Sequence, residues 1–116
     1  MKETNQIQAP EELILCGASA YNQKFYINEN FGNLPDEIKK ELKIMCVLFC
    51  ADVGGIIQLV FDEDGNLELR TAYNEDDLLY DDIGCGLKIK ELRQKNEDLF
   101  RGLELYYKVI FDKLDE

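Results

Sequence analysis

Residues 61–67 are Phe61-Asp62-Glu63-Asp64-Gly65-Asn66-Leu67, and the topology of the chain turns on what they form. Carboxylates at alternate positions beside a glycine resemble a calcium loop. The same seven residues also join two runs of alternating apolar character, as a hairpin turn does. Register separates the two readings. Ile57, Leu59 and Phe61 lie on one side of the preceding run, and Leu67, Leu69, Thr71 and Tyr73 on one side of the next. A two-residue Asp64-Gly65 turn would set Phe61 against Glu68 and Leu59 against Arg70, an apolar face against a polar one. A three-residue Glu63-Asp64-Gly65 loop closes on Asp62 and Asn66. It sets Phe61 against Leu67, Leu59 against Leu69 and Ile57 against Thr71. That loop ends on a left-handed residue, and Gly65 stands there. A calcium-binding helix-loop-helix needs a loop of about twelve residues between helices, whereas these flanks alternate as strands. The hairpin is the reading adopted, with the carboxylates of Asp62, Asp64 and Glu68 as turn and surface groups and no metal assigned.

Outward from the hairpin, Glu12–Cys16 reads as a short strand, and Gly17-Ala18-Ser19-Ala20 as a turn into a second strand, Tyr21–Ile27. Leu34-Pro35-Asp36-Glu37 opens a helix that Gly54-Gly55 ends. Ile38, Leu42, Met45 and Phe49 recur in it at helical spacing, and from Ile44 onward nearly every side is apolar. Such a helix is expected to be covered from more than one direction. After the hairpin, Leu78-Leu79-Tyr80 suggests a short fifth strand or a docked loop between the acids Glu75, Asp76, Asp77 and Asp81, Asp82. A last helix is expected from about residue 87 to 114. At about 28 residues it would run about 42 Å, long for this chain. It therefore either breaks near Gly102 or lays its apolar stripe against another subunit. The fold class that follows is α+β: an antiparallel sheet of four to five strands with two helices packed on one face, in the order β-β-α-β-β-(β)-α, the C-terminal helix long.

The chain has 116 residues, one domain's worth, with residues 1–11 expected as a flexible N-terminal tail and 12–116 as a single domain. Its start, MKETNQIQAPEE, has no signal-peptide character, and no apolar run approaches the roughly 20 residues of a membrane span. A cytoplasmic location is expected. Its 24 acidic residues outnumber 13 basic ones, for a net charge of −11, which repels nucleic acid and anionic membranes and favours a partner with a basic surface. Cys16, Cys46, Cys50 and Cys85 form no CxxC pair and read as core thiols. There is no histidine, so neither a Ser-His nor a Cys-His nucleophile pair can form within the chain, and no catalytic residue is assigned.

Two surfaces stand out. Gly84, Cys85 and Gly86, followed by Lys88 and Lys90, could present backbone amides and positive charge to an anion at a helix start. Leu92, Leu99, Leu103, Tyr106 and Ile110 form an apolar stripe suited to a dimer interface. The leading expectation is a non-enzymatic interaction or adaptor module acting as a homodimer, without a cofactor. The alternative is a small-ligand or anion-binding regulatory domain using Gly84–Lys90.

Three pieces, LCGASAYNQKFYIN (15–28), LPDEIKKELKIMCVLFCADVGGIIQLVFDEDGNL (34–67), and LYDDIGCGLKIKELRQK with LELYYKVIF (79–95 and 103–111), together resemble a family of short acidic proteins from anaerobic Gram-positive bacteria. That family is a domain of unknown function. The resemblance implies a cytoplasmic bacterial protein and carries over no catalytic residue, ligand or partner.

Overall fold

The computed structural model describes residues 12–112, with the side chains of residues 111 and 112 left aside; the expected tail at 1–11 lies outside the described residues. Four strands, β1 (Leu13–Ser19), β2 (Lys24–Ile27), β3 (Ile56–Phe61) and β4 (Leu67–Ala72), form one sheet in the order β2-β1-β3-β4. Every neighbouring pair is antiparallel. β2 and β3 therefore run the same way on either side of β1, and helix α1 (Asp36–Val53) makes the crossover between them. Helices α2 (Asp82–Lys95) and α3 (Glu97–Tyr107) follow. The three helices share one side of the sheet with the core, to which Cys16, Ala18, Ile57, Leu59, Phe61 and Leu67 contribute from the strands.

The β3–β4 hairpin has the expected register: Phe61 opposite Leu67, Leu59 opposite Leu69, Ile57 opposite Thr71. Gly65 sits at φ 84°. The other joints differ from expectation. β1 extends through Gly17 and Ala18 to Ser19, and the first turn falls at residues 20–23, with Gln23 at φ 53°. Gly17 is no turn residue. It is small because a Cβ there would come within 2.9 Å of the Tyr26 ring and 3.0 Å of the Ile57 carbonyl. Leu15 is an extra residue in β1, since Ile14 pairs with Val60 and Cys16 already with Leu59. This bulge turns both Leu15 and Cys16 into the core, each fully buried. Asn28 stabilises it by donating through Nδ2 to the Ile14 carbonyl at 2.8 Å and through its backbone N–H to the Leu15 carbonyl at 2.9 Å.

No fifth strand forms among the described residues. Leu78 and Leu79 are each 92% exposed, and only Tyr80 docks, stacked on Tyr73 at 4.2 Å. Tyr80 crosses Gly55, where a Cβ would stand 2.6 Å from its ring. The expected long helix is two helices, and the break lies at Asn96 rather than near Gly102. Asn96 leaves helical geometry (φ −116°, ψ 27°), and its Nδ2 and backbone N–H both donate to the Leu92 carbonyl at 3.0 Å. Its own carbonyl accepts from Phe100 N–H at 2.9 Å and so starts α3. Residues Lys108–Asp112 continue as a wider helical turn.

The break lets α2 and α3 grip the outer edge of β4 from two directions. Arg93 of α2 donates to the Leu67 carbonyl at 3.1 Å, and Glu104 of α3 accepts from the Leu67 N–H at 2.8 Å. An edge strand otherwise offers such groups to any passing chain.

Candidate functional site

The two surfaces singled out in the sequence have specific fates. At the start of α2, Asp81 is the cap: its Oδ1 accepts from Gly84 N–H at 2.8 Å and its carbonyl from Cys85 N–H at 2.8 Å. A Cβ on Gly84 would meet that carboxylate, so the glycine is there to let the cap close. The chain's own anion stands where an incoming one would go. Cys85 is buried, its Sγ 3.6 Å from Thr71 Oγ1. Gly86 and Lys90 are exposed, and Lys88 turns sideways to Asp52 of α1 at 3.1 Å and Glu91 at 3.4 Å. Asp52 first and Glu91 second hold the Lys88 ammonium above its ordinary pKa.

The expected dimer stripe is largely built into this chain's own core. Leu103 is buried; Leu92, Leu99 and Tyr106 are partly buried against the core; Ile110 stays 38% exposed. These side chains are needed to close the sheet, since α2 and α3 supply the wall beyond α1 and beside β4.

The apolar surplus lies instead on α1. Leu42, Met45, Cys46, Phe49 and Val53 face the core. On the opposite side Ile44 (49% exposed), Val47 (43%) and Leu48 (56%) face outward, followed by exposed Ala51. Their spacing of i, i+3, i+4 and i+7 is one continuous stripe of helix surface. The sequence signal was present as a helix apolar on all sides; the structure covers only half of it.

The four cysteines are free thiols. Cys16 and Cys46 are fully buried, and a hydrogen bond between them together with burial raises the Cys16 pKa, which keeps that thiol protonated. Cys50 is half-buried, and desolvation is the main cause of its raised pKa. Cys16, Tyr21, Cys85 and Lys88 do not converge on a common pocket. Tyr21 ties the first turn to the acidic segment, donating to Asp77 Oδ2 at 2.5 Å and accepting from Asn74 N–H at 3.0 Å. Among the described residues no group of three or more Cys, Asp or Glu is arranged to hold a metal ion, and no helix is long and apolar enough to cross a membrane.

This architecture defines an α+β protein of two layers, a four-stranded antiparallel sheet with three helices on one face. A family model described as "Family of unknown function (DUF6145)" matches residues 12–115, and the chain belongs to that family. Comparison with curated proteins gave no match, and neither did comparison with solved structures.

Proposed function

We propose that the protein is a non-enzymatic interaction module that works as a homodimer through the outer face of α1. The observation that carries this reading is the exposed stripe Ile44, Val47, Leu48 and Ala51. Contiguous apolar surface of this kind marks an interaction site. The stripe also complements itself. A two-fold axis passing between Val47 and Leu48 sets Ile44 of one copy against Ala51 of the other, and Val47 against Leu48. It brings the lysine end of the stripe (Lys40, Lys43) towards the Asp52 end of the partner, unlike charge beside unlike charge. An adaptor needs a second face as well. Leu78 and Leu79, exposed between Glu75, Asp76, Asp81 and Asp82, suit a partner with a basic surface.

Light scattering on a size-exclusion column tests the dimer. The 13.4 kDa chain is expected at twice its mass at micromolar concentration. Leu48→Glu, which sets like charges together on the axis, is expected at the single-chain mass with an unchanged circular dichroism spectrum. A wild-type monomer, or a variant that stays dimeric, overturns the reading.

A further inference from the structure

The four most exposed large apolar side chains among the described residues belong to one short piece of chain. Leu78 and Leu79 are each 92% exposed, Ile83 79% and Leu87 66%, more than any member of the α1 stripe. Helix α2 is apolar on two opposite sides. Cys85, Ile89 and Leu92 pack with the core at i, i+4 and i+7. Ile83 and Leu87, each two residues from Cys85, stand about 160° round the helix from it. Four residues apart, they form one outward ridge.

The leucines ahead of the helix are held outward by anchors on both flanks. One oxygen of Asp77 accepts from Leu79 N–H at 3.1 Å and the other from the Tyr21 hydroxyl at 2.5 Å. On the far side Tyr80 is stacked on Tyr73, and Asp81 caps α2. The loop is fixed while its leucines meet water, so a partner that covers them has little chain to order.

Charge and backbone say what covers them. Between Arg70 and Lys88 the chain has five acids, Glu75, Asp76, Asp77, Asp81 and Asp82, and no lysine or arginine. Glu75, Asp76 and Asp82 make no ion pair among the described residues. Lys88 is paired with Asp52 and Glu91. A second copy docked here about a two-fold axis would bring the two sets of acids together, so the occupant is not this chain. An anionic membrane is repelled for the same reason. No strand runs through residues 73–81, so an extended peptide has no edge to join. A helix laid along the ridge has no such need. From Leu78 to Leu87 the chain spans at most about 20 Å, which matches about 13 residues of helix.

We propose that the Leu78-Leu79 loop and the outward ridge of α2 dock a basic amphipathic helix of a partner protein. Its apolar side lies on Ile83 and Leu87 and its cations beside Glu75, Asp76 and Asp82. This rests on the reading of the chain as an interaction module and names what its second face takes.

The probe is a fluorescein-labelled peptide of about 14 residues, leucines on one side of the helix and lysines on the other, followed by fluorescence anisotropy. One comparison peptide has the same composition with its leucines spread round the helix; another has glutamate in place of lysine. The first is expected to bind saturably, and each comparison peptide at least about tenfold more weakly. Ile83→Ser/Leu87→Ser is expected to weaken binding by about tenfold or more at unchanged melting temperature. Glu75→Gln/Asp76→Asn is expected to weaken it as well, whereas Leu48→Glu, on the α1 stripe, should bind like the wild type. Equal binding of the spread-leucine peptide would reduce the surface to charge attraction and overturn it. So would tight binding by Ile83→Ser/Leu87→Ser, or loss of binding in Leu48→Glu, which would place the peptide on the stripe. Sedimentation with neutral phosphatidylcholine vesicles that Ile83→Ser/Leu87→Ser abolishes would assign the face to a lipid surface instead. The dimer and this site fail separately. A monomer that binds the peptide overturns the dimer alone, and a dimer that leaves the peptide unbound overturns this site alone.

Discussion

Asp62 and Asn66 close the central hairpin on each other. The Asp62 N–H donates to the Asn66 carbonyl at 2.9 Å, and the Asp62 carboxylate accepts from the Asn66 N–H at 2.9 Å. The same carboxylate oxygen takes the Asp64 N–H at 2.9 Å, and the Asp62 carbonyl takes the Gly65 N–H at 2.9 Å. One aspartate thus takes the backbone N–H groups of Asp64, Gly65 and Asn66. The acids that resemble metal ligands in the sequence are turned towards their own chain or towards water.

Gly65→Val is expected to lower stability by about 2 kcal/mol or more, because a β-branched residue is strained in the left-handed region. The φ of 84° leaves no other region open while the loop keeps its length, and a Cβ would also stand 3.2 Å from the Tyr107 ring. Urea denaturation checks the size of the effect. The loss is expected to be the same in calcium and in EDTA; a calcium-dependent difference would restore the calcium-loop reading.

The Asp62 carboxyl titrates below its usual range, chiefly because the backbone N–H of Asn66 stabilises the ionised form. A depressed folded-state pKa contributes stability that is complete above the unfolded value of about 3.9 and is lost as pH falls through the folded value. Melting of wild type and Asp62→Asn should therefore differ at pH 6, and the gap should narrow below about pH 4 and close at lower pH. Glu12, whose pKa is also lowered, mainly by its hydrogen bond to Arg70, is common to both proteins and drops out of the difference. A gap that persists at pH 2 would assign the effect to something other than this carboxylate.

How far the sequence speaks for itself differs from joint to joint, for physical reasons. The β3–β4 hairpin is legible because apolar alternation on two strands and one glycine agree on a single register. In the first hairpin the small residues Gly17, Ala18 and Ser19 imitate a turn, whereas Gly17 is small to admit the ring of Tyr26 from the neighbouring strand. Nothing local marks Gln23 as the left-handed residue. The helix break is a similar case. Gly102 draws attention but has open space around it and stays helical, while Asn96 ends α2 by bonding back to Leu92. The stripe on α1 is visible as apolar surplus from Ile44 onward. Which of two apolar helices keeps its surplus outside depends on how the pieces of the last helix pack, and periodicity alone does not contain that.

The double grip on Leu67 predicts unequal effects. Glu104→Ala removes the acceptor of a partly buried N–H, and an orphaned donor of this kind costs about 1–3 kcal/mol. Glu104→Gln keeps an acceptor oxygen and is expected to retain most of the stability. Thermal melts of the two variants check the ordering, with a fall of roughly 4–8 °C per kcal/mol for a domain near this size. Equal melting temperatures would mean that the Leu67 N–H finds another partner when Glu104 is cut back.

Thiol reactivity tests the burial pattern independently of any ligand or oligomer. A thiol reacts as its thiolate, so burial slows it both by excluding reagent and by raising its pKa. Cys16 suffers both effects: it is fully buried, and its hydrogen bond with Cys46 makes it harder to ionise, while Cys46 is fully buried beside it. Cys85 is buried against Thr71. Cys50 has a raised pKa as well, so its reaction should be slow for a half-exposed cysteine and should accelerate steeply with pH. A dithiobis(nitrobenzoate) titration of the native protein at pH 8 is expected to release one equivalent of the chromophore, and four after addition of guanidinium. Cys50→Ser should abolish the native equivalent while leaving three in denaturant. Two or more fast equivalents in the native protein would mean that the Cys16–Cys46 pair opens to solvent, and that the bulge at Leu15 is looser than its hydrogen bonds to Asn28 imply.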